Sequence, residues 1–228
     1  MWTVTTFVLV PGAGGAGSYW HRVVPLILGA GHEAIPLDLP ADDPASGLPE
    51  YAEIISATVG SRPDVVLVAQ SLGGFPAAQV AASGRHPGLR ALVFVNAMIP
   101  EPGETAGEWW GHVDQEAAMR AAARAGGWPV EFDPQAHFLH DVPAEVVASL
   151  GSAERDETET IFGAPCEFTE WPAIAIRVVA GRDDRFFPVT FQQCVARKRL
   201  GVEPDVLPGG HLIALSRPGE LAEYLVAI

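Results

Sequence analysis

Ser71 lies in the motif Ala69-x-Ser71-x-Gly73, whose residue types and spacing favour nucleophilic chemistry. The motif follows an apolar run at 65–69 and precedes small residues, a pattern typical of a sharp turn from a buried strand into a helix. A serine at such a turn is strained and exposes its hydroxyl group, and the residues two before and two after it must be small because they nearly touch. We therefore predict that Ser71 is a nucleophile and that the Leu72 amide can donate to an oxyanion. The alternative is an ordinary serine in a strand-to-helix turn.

A serine nucleophile needs a base and a group that orients the base, and the chain offers both. Asp184 follows the apolar run at 174–180, and we prefer it to Asp183 because it lies just past the tight turn. His211 follows two glycines in the loop after the last predicted strand, where the backbone is free to turn the ring. The order Ser71, Asp184, His211 therefore predicts a catalytic triad.

A glycine-rich loop at 12–17 follows the first predicted strand and allows two interpretations. Its Gly-x-Gly-x-x-Gly spacing, with Asp38 at the end of the next strand, is typical of a dinucleotide site. Against that site, Pro11 precedes the first glycine, and none of the three tyrosines has the lysine four residues on that a short-chain reductase requires. The same loop can instead bring the Ala13 amide towards a substrate as half of an oxyanion hole. We favour the oxyanion hole and expect no cofactor, with a dinucleotide-binding oxidoreductase as the remote alternative.

Strands and helices alternate along the chain except in residues 98–170, which predicts a parallel sheet wrapped by helices. Strands are expected at 4–10, 33–38, 64–69, 89–95, 174–180 and 203–207. Helices are expected at 18–28 with Ser18 as N-cap, at 49–59, from the serine turn to 83, and at 116–125, 143–150, 189–199 and 218–226. We expect one overall domain, in which residues 1–97 and 171–228 form the core and residues 98–170 form an inserted helical cap.

The composition of the 228 residues suits a globular α/β protein, with 48% hydrophobic and 18% charged residues. The net charge of −14 argues against nucleic acid as a partner and disfavours an anionic membrane surface. More than half of the acidic residues lie in 101–170, a segment with fifteen Asp and Glu but only three Arg. The two cysteines fit no metal spacing, and neither a basic leader nor a membrane-length apolar run is present, so a reduced, cytoplasmic protein is expected. The oligomeric state stays open, a homodimer being one option.

The chain resembles the α/β-hydrolase superfamily over nearly its whole length. It is similar to compact esterases that include plant methylesterases and hydroxynitrile lyases, and to their small bacterial relatives. The resemblance rests on 8–13, Trp20, 37–39, 69–74, 181–188 and 209–211. It implies an α/β-hydrolase fold with about six mostly parallel strands instead of eight, because the chain begins almost at the strand before the glycine loop. It also implies Ser71 as nucleophile, His211 as general base and Asp184 as its orienter, with the amides of Ala13 and Leu72 as the oxyanion hole.

The resemblance also bears on the reaction. Two departures, Pro11-Gly12 for the usual His-Gly and Ala69 for the first glycine of the serine turn, remove no catalytic group. The lyases of this group carry Thr at the position of Gly12 and Lys at that of Leu212, so the resemblance favours hydrolysis of a carboxylic ester through an acyl-enzyme. A non-hydrolytic protein of the same fold, such as a lyase, a cofactor-free oxidative enzyme or a ligand receptor, is the alternative.

The expected substrate is a small, neutral, partly apolar ester, since an acidic cap should repel anions. The residues expected to line its site are Gly12, Leu72, Met98, Trp110, Phe138 and Leu212. Other cap aromatics, Trp109, Trp128, Phe132 and Phe162, either join this lining or simply attach the cap to the core. The group His137, His140 and Asp141 lacks a further nearby ligand, so no metal site is expected.

Overall fold

The computed structural model describes residues 4–150 and 155–228. Residues 1–3 and 151–154, which belong to the predicted core and cap respectively, lie outside the described residues. Six strands in the described part form one parallel sheet in the order β2-β1-β3-β4-β5-β6. The strands are β1 (Thr6–Val10), β2 (Glu33–Pro36), β3 (Val65–Gln70), β4 (Leu89–Val95), β5 (Ala175–Gly181) and β6 (Asp205–Leu207). The expected α/β architecture with six parallel strands is confirmed.

The central strand β3 shows why the sheet carries helices on both faces. All six of its residues are buried. Val65, Leu67 and Ala69 belong to one apolar cluster, whereas Val66 and Val68 belong to a second cluster. Successive side chains of a strand point to opposite faces, so both faces of β3 are covered by apolar groups. A continuous apolar run, rather than an alternating one, is the sequence that such a strand needs.

Eleven helices lie in the described residues. They are α1 (Val24–Gly29), α2 (Leu48–Val59), α3 (Gly74–Ala82), α4 (Ala106–His112), α5 (Gln115–Gly126), α6 (Pro134–His137), α7 (Ala144–Leu150), α8 (Thr160–Gly163), α9 (Val189–Leu200), α10 (Ile213–Ser216) and α11 (Pro218–Val226). Apolar residues of α2, α3 and α9 belong to the first cluster, and those of α1 and α11 belong to the second. Within the described part of the chain, no helix is long and apolar enough to span a bilayer.

The predicted helix at 18–28 is wrong in its first half. The chain forms a short 3-10 helix at Gly17–Trp20, and α1 begins only at Val24. Ser18 lies inside the 3-10 turn and makes no capping hydrogen bond, so it is not an N-cap. Pro25 explains the break, because proline has no N–H to donate and is tolerated only in the first turn of a helix.

Residues 98–170, called here the cap segment, contain α4 to α8. Two of these helices, α5 and α7, were expected from the sequence, and the other three are short. The segment is joined to the core by a buried ion pair, in which the two terminal guanidinium nitrogens of Arg199 on α9 contact the carboxylate of Glu104. The indole N–H of buried Trp109 donates to the carbonyl of Ile99, at 3.1 Å, and ties α4 to the chain just after β4.

Candidate active site

Ser71 follows β3 directly and begins a short 3-10 turn that leads into α3. Its φ angle is +49°, a left-handed conformation that non-glycine residues rarely adopt, as expected for a strained turn. Gly73 must be small because the end of β1 lies against it. A Cβ there would lie 2.3 Å from the carbonyl oxygen of Pro11 and 3.0 Å from the side chain of Val10.

The structure brings Ser71, Asp184 and His211 together at the carboxyl edge of the sheet. The Nε2 atom of His211 lies 3.2 Å from the Ser71 hydroxyl oxygen, and its Nδ1 atom lies 2.9 Å from Oδ2 of Asp184. His211 is 1% exposed and Asp184 is 5% exposed, whereas Ser71 is only partly buried. The arrangement is a chain of hydrogen bonds that leads from a buried carboxylate to an accessible hydroxyl group.

Asp184 is held by four hydrogen bonds. Its Oδ1 accepts from the backbone N–H groups of Phe186 and Phe187, both at 2.8 Å. Its Oδ2 accepts from His211 and from the side-chain amide of Gln192, at 3.2 Å. These bonds stabilise the charged carboxylate in a buried position and fix the oxygen that faces the imidazole.

Asp183, which the sequence analysis did not favour as the acid of the triad, has a different environment. It is exposed, and its carboxylate pairs with Arg182 at 2.9 Å. The hydrogen bond from that guanidinium is the main cause that lowers the pKa of Asp183. Its second contact is the amide of Gly209, at 3.3 Å, so Asp183 supports the turn before His211 and does not face the ring.

Asn96 and Gln192 complete a buried polar network that sequence reasoning missed. Asn96 directly follows β4, and its side-chain amide donates to the carbonyls of Gly210, at 2.9 Å, and His211, at 3.1 Å. Its Oδ1 accepts from the amide of Gly181, at 2.6 Å, and from Gln192, at 3.2 Å. The network therefore links the ends of β4 and β5 to the histidine loop. In the sequence Asn96 is only a polar residue immediately after the apolar β4 run, and the structure is needed to show that it is buried.

Three phenylalanines surround the imidazole of His211. Phe138 stacks on it with centroids 5.0 Å apart, and Phe186 and Phe187 meet it edge-on at 5.1 and 5.0 Å. Phe138 was expected to line the substrate site, whereas the other two were not singled out. Rings packed on three sides exclude water from the imidazole and restrict its rotation.

The glycine loop lies beside the serine. A Cβ on Gly12 would lie 2.8 Å from Cβ of Ser71 and 2.4 Å from the side-chain oxygen of Gln70, so the backbone approaches the serine turn closely. Ala13, the next residue, is exposed. Within residues 4–150 and 155–228, neither the Ala13 N–H nor the Leu72 N–H donates to a protein acceptor.

The other residues expected to line the site differ in their contacts. Met98 is buried, and its amide donates to the Ser71 carbonyl at 3.0 Å. Leu212 is half-buried next to His211. Trp110 contacts Phe186 and Phe187 rather than His211 itself.

Several other aromatic and polar residues of the cap segment have structural contacts. Trp109 packs between the cap segment and α9, and Trp128 stacks against Arg185. His137 is bonded to the backbone of Asp133, and Asp141 accepts from the Gly210 amide at 2.7 Å. No set of three metal-ligating side chains comes together in the described residues.

The parallel sheet, the strained serine turn and the Ser–His–Asp geometry are those of an α/β hydrolase. Residues 7–224 match the model of the alpha/beta hydrolase family, and the chain belongs to that family. The resemblance inferred from the sequence is thereby confirmed.

Three individual proteins illustrate the relationship. The chain is 36% identical over 112 residues to the probable esterase PIR7A of Oryza sativa, an alignment that covers 44% of this chain and 42% of the rice protein. It is 33% identical over 105 residues to the alpha-hydroxynitrile lyase of Arabidopsis thaliana, covering 42% and 40%. The chain thus spans less than half the length of these two relatives. The crystal structure of polyneuridine aldehyde esterase has the same fold, with a TM-score of 0.80, 20% identity and 99% of each chain covered.

Proposed function

We propose that this α/β hydrolase is a serine esterase that cleaves carboxylic esters through an acyl-enzyme. The observation that carries the proposal is the continuous relay from Ser71 through His211 to Asp184, with contacts of 3.2 and 2.9 Å. The name of the rice relative, a probable esterase, agrees with it.

The relay suggests a role for each group. His211 accepts the proton of the Ser71 hydroxyl group as its oxygen attacks the ester carbonyl, and Asp184 stabilises the imidazolium that forms. The amides of Ala13 and Leu72 donate to the oxyanion of the tetrahedral intermediate. His211 then protonates the leaving alcohol, which leaves an acyl group on Ser71. Water, activated by the same histidine, releases the acid and restores the serine.

The alternative is lyase chemistry, since a second relative is named an alpha-hydroxynitrile lyase. Two positions argue against it. Gly12 stands where the lyases of this group carry threonine, and a side chain there would place its Cβ 2.8 Å from Cβ of Ser71, so the loop would have to shift. The position after His211 is Leu212, which cannot provide the cation expected to stabilise a leaving cyanide. Both observations favour hydrolysis.

The substrate class that fits is a small, neutral, partly apolar ester. The phenylalanine rings beside His211 and the side chain of Leu212 offer an apolar surface next to the reacting atoms. The acidic residues of the cap segment disfavour an anionic substrate. In this proposal, residues 98–170 act as a cap that covers the site formed by the core.

Short p-nitrophenyl esters, with acyl chains of two to eight carbons, test the proposal. The wild-type protein should hydrolyse them, and Ser71→Ala should abolish the activity. Ser83→Ala, which removes an exposed serine just after α3, is the matched control and should behave as wild type. Equal rates for wild type and Ser71→Ala would refute the nucleophile. No turnover by the wild type, together with cleavage of a cyanohydrin, would favour the lyase.

A further inference from the structure

The glycine loop that carries the Ala13 amide is connected to the cap segment by a carboxylate. Carboxylate oxygens are strong hydrogen-bond acceptors. Here Oε2 of Glu157 accepts from the backbone N–H of Gly14 at 2.9 Å. Its other oxygen, Oε1, accepts from the hydroxyl group of Tyr51 on α2 at 2.6 Å. Glu157 is 143 residues away from Gly14 in the chain, so this contact is a specific tertiary bond.

The loop needs such an anchor because its own hydrogen bonds leave the amide of Gly14 without a partner. Gly14 and Gly15 have φ angles of +83° and +60°, and glycine loses more conformational freedom on ordering than any other residue. The amide of Gly15 donates to the carbonyl of Gly12 at 3.1 Å and closes a turn over Ala13 and Gly14. The Gly15 carbonyl accepts from the Leu39 amide at 2.8 Å, and the Gly17 amide donates to Asp38 at 2.9 Å. None of these bonds pairs the amide of Gly14.

We propose that Glu157 is a positioning residue for the oxyanion-binding loop. Its carboxylate holds the Gly14 N–H and so turns the adjacent Ala13 N–H, which has no acceptor in the described residues, towards the serine. The inference rests on the proposed esterase function for the role of Ala13. Its structural content, that a carboxylate of the cap segment orders the glycine loop, is independent of the substrate.

Two neighbours make the position of Glu157 well defined. Arg155 lies two residues earlier in the same segment, and its guanidinium donates to the carbonyl of Gly15 at 2.9 Å. The buried ring of Tyr51 fixes the second carboxylate oxygen from the side of the core. The cap segment therefore holds the loop at two successive glycines: Glu157 accepts from the Gly14 amide, and Arg155 donates to the Gly15 carbonyl.

Three variants separate positioning from general stability. Glu157→Ala removes the acceptor, whereas Glu157→Gln keeps an amide oxygen for Gly14 and an amide group that can pair with the Tyr51 hydroxyl. Asp156→Asn, at the exposed neighbouring carboxylate, is the matched control for loss of one charge. Each variant is measured by hydrogen–deuterium exchange of a peptide spanning 11–17, with a peptide of β3 as internal standard. The kinetic constants for p-nitrophenyl esters are measured alongside.

Glu157→Ala should speed exchange in the loop about tenfold or more, without a change in β3, since a hydrogen bond to a charged group is lost. The kcat should fall about tenfold with little change in KM, because an oxyanion donor acts mainly in the transition state. Glu157→Gln and Asp156→Asn should both stay close to wild type.

Unchanged loop exchange in Glu157→Ala, or an equal loss in Glu157→Gln, would overturn the inference. If the wild type hydrolyses no ester, the proposed function fails, while the exchange data still decide whether Glu157 orders the loop.

Discussion

The ring of Phe138 stacks on the imidazole of His211, with centroids 5.0 Å apart and planes inclined by 17°. Phe138 directly follows α6 in the cap segment, whereas His211 lies in the loop after β6. The contact therefore joins the cap segment to the proposed catalytic base. A covered face keeps water away from the ring and restricts its motion, so the stacking should contribute to catalysis as well as to packing.

Replacing Phe138 by alanine tests that contribution. An aromatic pair of this kind contributes about 0.5–1.5 kcal/mol beyond its buried area, so kcat/KM should fall about twofold to tenfold if the stacking orients the base. Phe132→Ala is the matched control, because Phe132 is exposed and packs on Phe138, with no ring contact to His211 in the described residues. Ester hydrolysis by both variants is the measurement. Equal losses in the two variants would show that the aromatic cluster acts only through packing.

The two adjacent aspartates provide a second comparison. Asp184→Asn should lower kcat by about four orders of magnitude, because an amide can favour the wrong tautomer of His211 while leaving the geometry intact. Asp183→Asn should change kcat only slightly, since that carboxylate pairs with Arg182 at the surface. Steady-state rates of both variants, with circular dichroism to verify folding, decide the assignment. A larger loss for Asp183→Asn would mean that the acid has been assigned to the wrong residue.

Asn96 should be sensitive to an isosteric change. Asn96→Asp keeps the oxygen that accepts from Gly181 but replaces the amide that donates to Gly210 and His211. Two buried carbonyls would then face a carboxylate, at a cost of about 1–3 kcal/mol for each unsatisfied group. Urea unfolding should show a correspondingly lower free energy. Gln135→Glu adds the same charge at an exposed position of α6 and should leave the stability nearly unchanged. An equally small effect of Asn96→Asp would show that the network is unimportant.

The sheet and the serine turn could be predicted because local patterns determine them. The apolar run of β3 indicates a strand covered on both faces, and the small residues after Ser71 indicate the sharp turn. Asp184 and His211 could be paired with Ser71 because parallel strands place their carboxyl ends at one edge of the sheet. The serine, the acid and the histidine are thus fixed by strand topology.

The contacts that support the site could not be predicted in the same way. Glu157 reaches Gly14 across 143 residues, and no spacing in the chain connects the two. Asn96 follows a strand as many unremarkable residues do, and its role depends on carbonyls of a loop more than 100 residues later. The residues at 18–28 predict one continuous helix, whereas Pro25 restricts the helix to the part that begins at Val24. Such features depend on tertiary packing, which local sequence does not determine.

The buried ion pair of Glu104 and Arg199 should make stability depend on acid pH. Burial alone would raise the pKa of Glu104, but hydrogen bonds from Arg199, from the Glu101 amide and from His112 outweigh it, so the pKa lies below its ordinary value of 4.5. The folded state thus favours the charged carboxylate. This contribution is fully present above pH 4.5 and is lost as the pH falls through the lower pKa of the folded state.

Urea unfolding of Glu104→Gln at several pH values measures the effect. At pH 7 the variant should lose about 3–5 kcal/mol, because Arg199 is left buried without its charge partner. The difference from wild type should shrink as the pH falls below 4.5. Glu203→Gln, which breaks an exposed pair with Arg197, is the control and should stay near wild type at every pH. A difference that does not change with pH would show that packing, not charge, is lost.

A side chain at Gly12 should displace the glycine loop, because the loop backbone lies against the serine turn. An alanine Cβ would lie 2.8 Å from Cβ of Ser71 and 2.4 Å from the Gln70 side-chain oxygen, closer than such atoms approach in folded proteins. Gln70 can move its flexible end, but Ser71 is held at φ +49° between β3 and α3, so the loop must shift away. A shift of the loop carries the Ala13 amide with it.

We expect Gly12→Ala to lower kcat by about tenfold to a hundredfold, which is part of the loss expected when an oxyanion donor is removed. Gly29→Ala, at the end of α1 with open space around it, is the matched control. Wild-type rates for Gly12→Ala would contradict the close approach and the assignment of Ala13 to the oxyanion hole.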